Sequence, residues 1–254
     1  MNKQQNYVNR TYRILQQADN LHYFNIKIKE SDLAIGVDLP SYSDSLIPLC
    51  QRELLHQRRE LEEYIKKHKE FMYSLEPIKL YSGAPAIARE MASAAKRAGV
   101  GPMASVAGAI AQKIGIVLSK RCKEYIIENG GDIYIRTENP RSIGIFAGSS
   151  PYSYKIAIRI CADEGGLGIC TSSGTVGPSL SFGQADAVVI KASNAALADA
   201  VATGAANRVK DEKDLINAID YVKNIREVTG ILAIKNDKMA AWGNMEIEPW
   251  GGRT

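Results

Sequence analysis

Residues 166–207 read GLGICTSSGTVGPSLSFGQADAVVIKASNAALADAVATGAAN, and the reading of this stretch decides the architecture. Leu167 and Ile169 alternate with small residues as on a strand, and a loop of glycines and hydroxyls follows from Thr171 to Gly177. A second β-rich run, Ala187 to Ile190, leads into an alanine-rich helix that carries Asp199 and Thr203. Four residues apart, those two side chains share one helix face. A loop of small residues lets backbone N–H groups approach an anion closely. A carboxylate and a hydroxyl on one face supply the hard oxygens that Mg²⁺ takes beside substrate phosphates. The same residues would equally build a tight Ser/Gly turn feeding a core helix, and composition alone leaves both readings open.

Working back from this stretch, EYIIEN and DIYIRT are two strands joined at Gly130–Gly131, with Asp132 directly after the turn. Before them, a helix from Pro102 through MASVAGAIAQKIGIVLSKRC has small residues at Ala104, Ala107, Gly108 and Ala111, a face suited to close helix packing. A further helix spans 84–98 and stops at Gly99 and Gly101. Residues 23–39 alternate as a hairpin turning at Glu30–Asp32, and 44–73 form a long amphipathic helix with Glu62–Lys66 and Glu63–Lys67 pairs on its wet side. Beyond the hairpin at Gly130–Gly131 lie strands at Ile143–Ala147 and Lys155–Cys161. Past the opening stretch come a helix over 212–225 and three short strands, Ile231–Ile234, Lys238–Trp242 and Met245–Glu248. Strands in the middle with helices before and after give an α+β class with mixed or antiparallel sheets. No linker divides the chain, so one domain is expected over 1–254: hairpin and long helix 23–73, ligand-site core 84–209, and C-terminal helix and strands 212–250.

Composition narrows the function. A net charge of +4, with both signs mixed along the chain, does not indicate nucleic acid or a membrane surface. No apolar run reaches spanning length and the N-terminus lacks a signal-type apolar segment, so a cytoplasmic protein is expected. Cys50, Cys122, Cys161 and Cys170 form no CxxC pair, which fits reduced thiols rather than disulfides or zinc. His22, His56 and His68 all lie in the first third, and each is expected at a surface or helix flank.

Taken in order, ASVAGAIAQ, ENGGDIYI, CTSSGTVGPSLSFG and ALADAVAT resemble the ApbE superfamily, the FAD:protein FMN transferases, and most of all an uncharacterised branch from archaea and anaerobic bacteria. Four blocks in the family's order over 104–203 make the resemblance specific. It implies the ApbE-like fold and a flavin-nucleotide site at Asn129, Gly130, Gly131 and Asp132, with a TSG-type loop at Thr171, Ser172, Ser173 and Gly174. It also implies Mg²⁺ held by Asp199 and Thr203 with backbone carbonyls of Ala202 and Ala111. Mg and FAD or FMN are the implied cofactors. A small-molecule or nucleotide ligand is the implied partner, with a homodimer as a possible assembly.

The departures bear on chemistry. Gln112 stands where the transferases carry a lysine, and the histidine expected after the TSG loop is replaced by Pro178. A general base for the acceptor hydroxyl is therefore missing from its expected place. Asp132, Ser173 and Cys170 remain as catalytic candidates, and Asp132, Asp186 or His22 as replacement bases. The resemblance leaves three functions: a Mg²⁺-dependent flavin-nucleotide enzyme, an FMN transferase in its strongest form; a sulfur-assimilation (homocysteine-forming) enzyme or accessory protein using Cys170 or Cys161; and a non-catalytic flavin-binding protein. The expectation is a flavin-type pocket without standard FMN transfer.

Overall fold

A computed structural model describes residues 18–162, 165–175 and 182–251. Its strands, in chain order, are β1 (Leu21–Ile28), β2 (Ser31–Asp38), β3 (Tyr125–Asn129), β4 (Asp132–Arg136), β5 (Arg141–Gly144), β6 (Ile156–Ile160), β7 (Leu167–Ser172), β8 (Ala187–Ala192), β9 (Val228–Lys235), β10 (Lys238–Gly243) and β11 (Glu246–Pro249). Five longer helices accompany them: α1 (Leu46–Lys67), α2 (Ala86–Ala98), α3 (Val106–Leu118), α4 (Ala195–Ala206) and α5 (Leu215–Lys223). Eight strands form one sheet in the order β1-β2-β3-β4-β7-β8-β9-β10, and three form a smaller sheet in the order β11-β6-β5. Every pairing is antiparallel. The class is α+β, as the sequence indicates.

Side-chain alternation explains the layering. Along β7, β8 and β9, Cys170, Val188, Ile190, Ile231 and Ala233 pack into a core with the helices. Their neighbours Ile169, Val189, Leu232 and Ile234 pack instead with Ile143, Ile158 and Ile160 of the small sheet. Because successive side chains on a strand point to opposite faces, the centre of the large sheet is covered on both sides. That is why all six residues of β8 are buried and why AVVIKA reads as a continuous rather than alternating run. Next to the edge strand β1, β2 turns Leu33, Ile35 and Val37 into the helical core, and there the sequence alternates.

Element boundaries shift where a side chain overrides periodicity. The long helix stops at Lys67, not 73, and only a single turn, Glu70–Tyr73, follows. His68 causes the break: its side chain is 1% exposed, stacked 3.7 Å from Tyr81, with Nδ1 2.9 Å from the Tyr64 hydroxyl. His68 thus sits at the flank of α1, as its C-cap, but is buried there and not at the surface. Glu62 pairs with Arg58 and Lys29, at 2.9 and 2.6 Å, because the hairpin turn sits over that flank of α1. The turn itself falls at Lys29–Glu30, one residue earlier than the sequence suggests, with Ile28 opposite Ser31. The helix from Pro102 begins as a 3-10 turn, Pro102–Ser105, and ends at Leu118.

One buried ion pair links the sheets. Arg141, the first residue of β5, donates from Nη2 to Glu124 Oε2 at 2.5 Å and from Nε to the Thr137 hydroxyl at 3.0 Å. Burial alone would raise the Glu124 carboxyl, but the hydrogen bonds from Arg141 and Thr137 outweigh it and hold the pKa below its ordinary value. Removing one partner of a buried pair strands the other charge, at a cost of about 3–5 kcal/mol. Glu124→Ala should thus lower unfolding free energy by about 3 kcal/mol or more in urea titrations. Lys29→Ala, at an exposed pair, should cost under about 1 kcal/mol. Equal losses would contradict this assignment of the linkage.

Candidate functional site

Asp132 follows the two-residue turn that joins β3 to β4. Gly130 and Gly131 both take positive φ, +71° and +104°, which suits glycine and lets Asn129 stand directly opposite Asp132. Ile133 and Ile135 face the small sheet, so alternation turns Asp132 toward the helices. Asp199 arrives from the other side, on the second turn of α4. The helix starts at an Asn194 cap, whose side-chain oxygen accepts the Leu197 N–H at 2.8 Å.

The start of α3 closes the site. The Gly108 N–H donates to Asp199 Oδ2 at 2.9 Å, and the Ala107 N–H also bonds this carboxylate. Asn129 Nδ2 donates to the Ala107 carbonyl at 3.1 Å. A methyl group at Gly108 would lie 2.2 Å from the Ala195 carbonyl oxygen, so only glycine permits this approach of α3 to α4. Helix N-terminal N–H groups thus face an acidic side chain, the arrangement their partial positive charge favours.

Electrostatically the two aspartates form a strained pair. Asp132 is 8% exposed and its Oδ1 has no hydrogen-bond partner among the described residues. Loss of hydration and the nearby Asp199 carboxylate push its pKa well above the ordinary value. Glu128 adds to this, while the Cys170 thiol and the Thr171 N–H oppose it. Loss of hydration raises Asp199 to about 7 despite its two N–H donors. Cys170 is fully buried and donates to the Ala195 carbonyl at 3.4 Å. Burial and both aspartates push its thiol well above the ordinary range, so it stays protonated and weakly nucleophilic.

Several implied residues are committed to the protein itself. The Gly131 N–H donates to Glu128 Oε1 at 2.7 Å, and the Gly174 N–H to the Ala185 carbonyl at 2.9 Å. The Ser173 hydroxyl lies 3.4 Å from the Ala185 carbonyl and accepts the Thr175 N–H at 3.1 Å. Asp186 accepts from the Thr175 hydroxyl at 3.2 Å and the Asn236 N–H at 2.6 Å, with Lys235 at 3.9 Å. It fastens the loop and is not part of the aspartate pair. Ser172 is buried on β7. His22 stacks 3.5 Å from Tyr42 on β1, the edge strand, three places from β4 in the sheet.

The remaining implied positions lie on the two helices. Thr203 is partly exposed one turn beyond Asp199. Ala111 and Ala202 are buried within α3 and α4, where helix geometry directs each carbonyl to the next turn. Pro178 lies outside the described residues. Sequence reasoning missed Glu128 and the Gly108 contact. Glu128 directly precedes the Asn-Gly-Gly turn, and Gly108 lies within the small-residue face, so the local signals were present.

A family model described as AbpE bacteria matches residues 13–223. A UPF0280 protein of Methanocella arvoryzae is 39% identical over 220 residues, covering 86% of this chain and 87% of its own length. One from Methanococcus aeolicus is 41% identical over 225 residues, covering 87% and 89%. Among solved structures, the flavin transferase ApbE from Vibrio cholerae superposes with a TM-score of 0.55 at 14% identity, over 88% of this chain and 96% of that one. The ApbE protein from Thermotoga maritima gives 0.54 at 12%, over 91% and 97%. The structural likeness carries the fold, and the family match together with the sequence relatives carries the membership: this chain belongs to the AbpE bacteria family, alongside the archaeal UPF0280 proteins.

Proposed function

We propose that the chain binds a flavin nucleotide together with Mg²⁺ at the Asp132–Asp199 pair and does not transfer FMN to protein hydroxyls. The observation that carries this reading is the buried Asp132 Oδ1, unpartnered among the described residues, beside a second carboxylate. Such an atom is costly unless a cation or proton completes it. The donor set fits Mg²⁺: carboxylate oxygens of Asp132 and Asp199, with the Thr203 hydroxyl on the same helix face. No group of three His, Cys, Asp or Glu side chains among the described residues is arranged to hold a metal alone. That suits an ion which completes its shell with waters and phosphate oxygens. When bound, Mg²⁺ would neutralise phosphate charge. A flavin nucleotide is the favoured ligand because the structural neighbours are flavin transferases.

The residues around the pair support binding better than transfer. Asp186 is held by Thr175 and Asn236, His22 lies at the sheet edge, and Gln112 Oε1 accepts the Ala195 N–H at 2.7 Å. None of these is placed to deprotonate an acceptor hydroxyl, a step to which a positioned base contributes about 10²–10⁴-fold. The sulfur-carrier alternative is weakened for Cys170 by its burial and raised pKa. Cys161 is the one exposed thiol of the four.

Fluorescence titration with FAD should show binding that depends on MgCl₂ and weakens at least about tenfold in Asp199→Asn and Asp132→Asn. Unchanged affinity in both variants would remove the metal assignment. Incubation with FAD, Mg²⁺ and a Ser/Thr peptide should leave the peptide mass unchanged. An FMN adduct with AMP released would establish transfer instead.

The aspartate pair also sets a pH dependence. The Asp199 carboxyl rises from 3.8 to about 7 in the fold, so between these values the folded state binds more protons than the unfolded state. Stability in EDTA should therefore fall as pH rises through that window, and Asp199→Asn should make the slope shallower, the raised Asp132 carboxyl supplying the remainder. Melting temperatures from pH 4 to 8 that run parallel for the two proteins would contradict the raised pKa.

A further inference from the structure

We infer that Gln112 is a positioning residue that sets where the Asp199 carboxylate stands, acting through Ala195. The inference rests on the proposed role of Asp199 but concerns a residue outside the metal's ligand set. Ala195 is the first residue of α4, and the first turn of a helix leaves backbone N–H groups without intrahelical partners. The Asn194 side chain satisfies one of those donors, the Leu197 N–H at 2.8 Å, while its carbonyl accepts the Ala198 N–H at 3.0 Å as the first intrahelical bond. The Ala195 N–H takes its acceptor from outside the helix: Gln112 Oε1 accepts it at 2.7 Å from the neighbouring helix.

That bond is one half of a brace. Gly108 and Gln112 lie four residues apart on α3, and Ala195 and Asp199 lie four apart on α4. Gly108 holds Asp199 through its N–H, while Gln112 holds Ala195. Two contacts one helical turn apart fix both the position of α4 and its rotation about its axis, which a single contact cannot do. Rotation matters because it aims the Asp199 side chain.

The socket around Ala195 leaves little slack. Its carbonyl accepts the Cys170 thiol at 3.4 Å. A methyl group at Gly168 would lie 2.4 Å from the Ala195 Cα, and one at Gly108 would lie 2.2 Å from its carbonyl oxygen. The backbones of β7 and α3 therefore press on Ala195 from two sides. Within such a socket the Gln112 amide supplies directional bonding where the rest is steric contact. A lysine at 112 has no acceptor and would leave the Ala195 N–H unpaired.

The test compares Gln112→Leu, which removes the acceptor, with Gln112→Glu, which keeps one and adds charge that a helix N-terminus favours. Two readouts are taken on the full chain. One is Mg²⁺-dependent FAD affinity, where the loss of a supporting contact around a metal site typically costs about 10–100-fold. The other, independent of any ligand, is amide hydrogen exchange along α4. We expect Gln112→Leu to lose Mg²⁺-dependent affinity at least about tenfold and to speed exchange at Ala195. Protection on β8 and β9 should be kept, and Gln112→Glu should restore both properties. Wild-type affinity in Gln112→Leu would overturn the inference while leaving the flavin reading intact. If the wild-type protein binds no Mg²⁺–FAD, the flavin reading falls, and unchanged exchange at Ala195 would overturn the brace as well. Loss of protection throughout β8 and β9 would make Gln112 a general stability residue and likewise overturn it.

Discussion

Two carboxylates facing one water-poor space are the constraint on which the site depends. Asp132 comes from the large sheet and Asp199 from a helix packed on it, and neither has a cation beside it among the described residues. A fold tolerates such a pair only by keeping protons on it or by binding a positive ion. The surroundings are built accordingly: N–H groups at the start of α3 face Asp199, and the Thr171 N–H and Cys170 thiol face Asp132. Glycines at 108 and 168 allow α3, α4 and β7 to meet closely enough for this.

The two-sided cover of the large sheet supplies the rigidity the pair needs. With the helical core on one face and the small sheet on the other, β4, β7 and β8 are fixed in register. Asp132 and Cys170 lie on the helix side of adjacent strands. Alternation places them there, as it places Ile133 and Ile169 opposite each other on the far side. A one-residue slip would exchange the two sets and bury aliphatic side chains where the carboxylate now stands.

Much of this was legible in the residues and some was not. The Gly130–Gly131 turn, the strands around 167 and 187, and the helix carrying Asp199 and Thr203 all follow from spacing and composition. Convergence of these elements came from the ApbE resemblance, because no local pattern encodes which strand lies beside which. Hydrogen-bond commitments were invisible in the sequence. The Gly131 N–H bonded to Glu128, Asp186 spent on Thr175 and Asn236, and Gln112 on Ala195 are tertiary facts. His68 shows the same limit, since nothing in its helical spacing announces that it will break the helix to stack on Tyr81.

Gln112 connects the chemistry to the architecture. Where the resemblance implies a lysine, this chain has a neutral acceptor that is tied to α4. On the proposed reading, a cation entering beside two carboxyls whose pKa values burial has raised must displace protons, and this gives a direct thermodynamic signature. Calorimetric titration with Mg²⁺ and FAD at pH 7, repeated in buffers of different ionisation enthalpy, counts those protons. Net release that disappears in Asp199→Asn is the predicted result. Binding with no proton release, or release unchanged in that variant, would contradict the aspartate pair as the metal site.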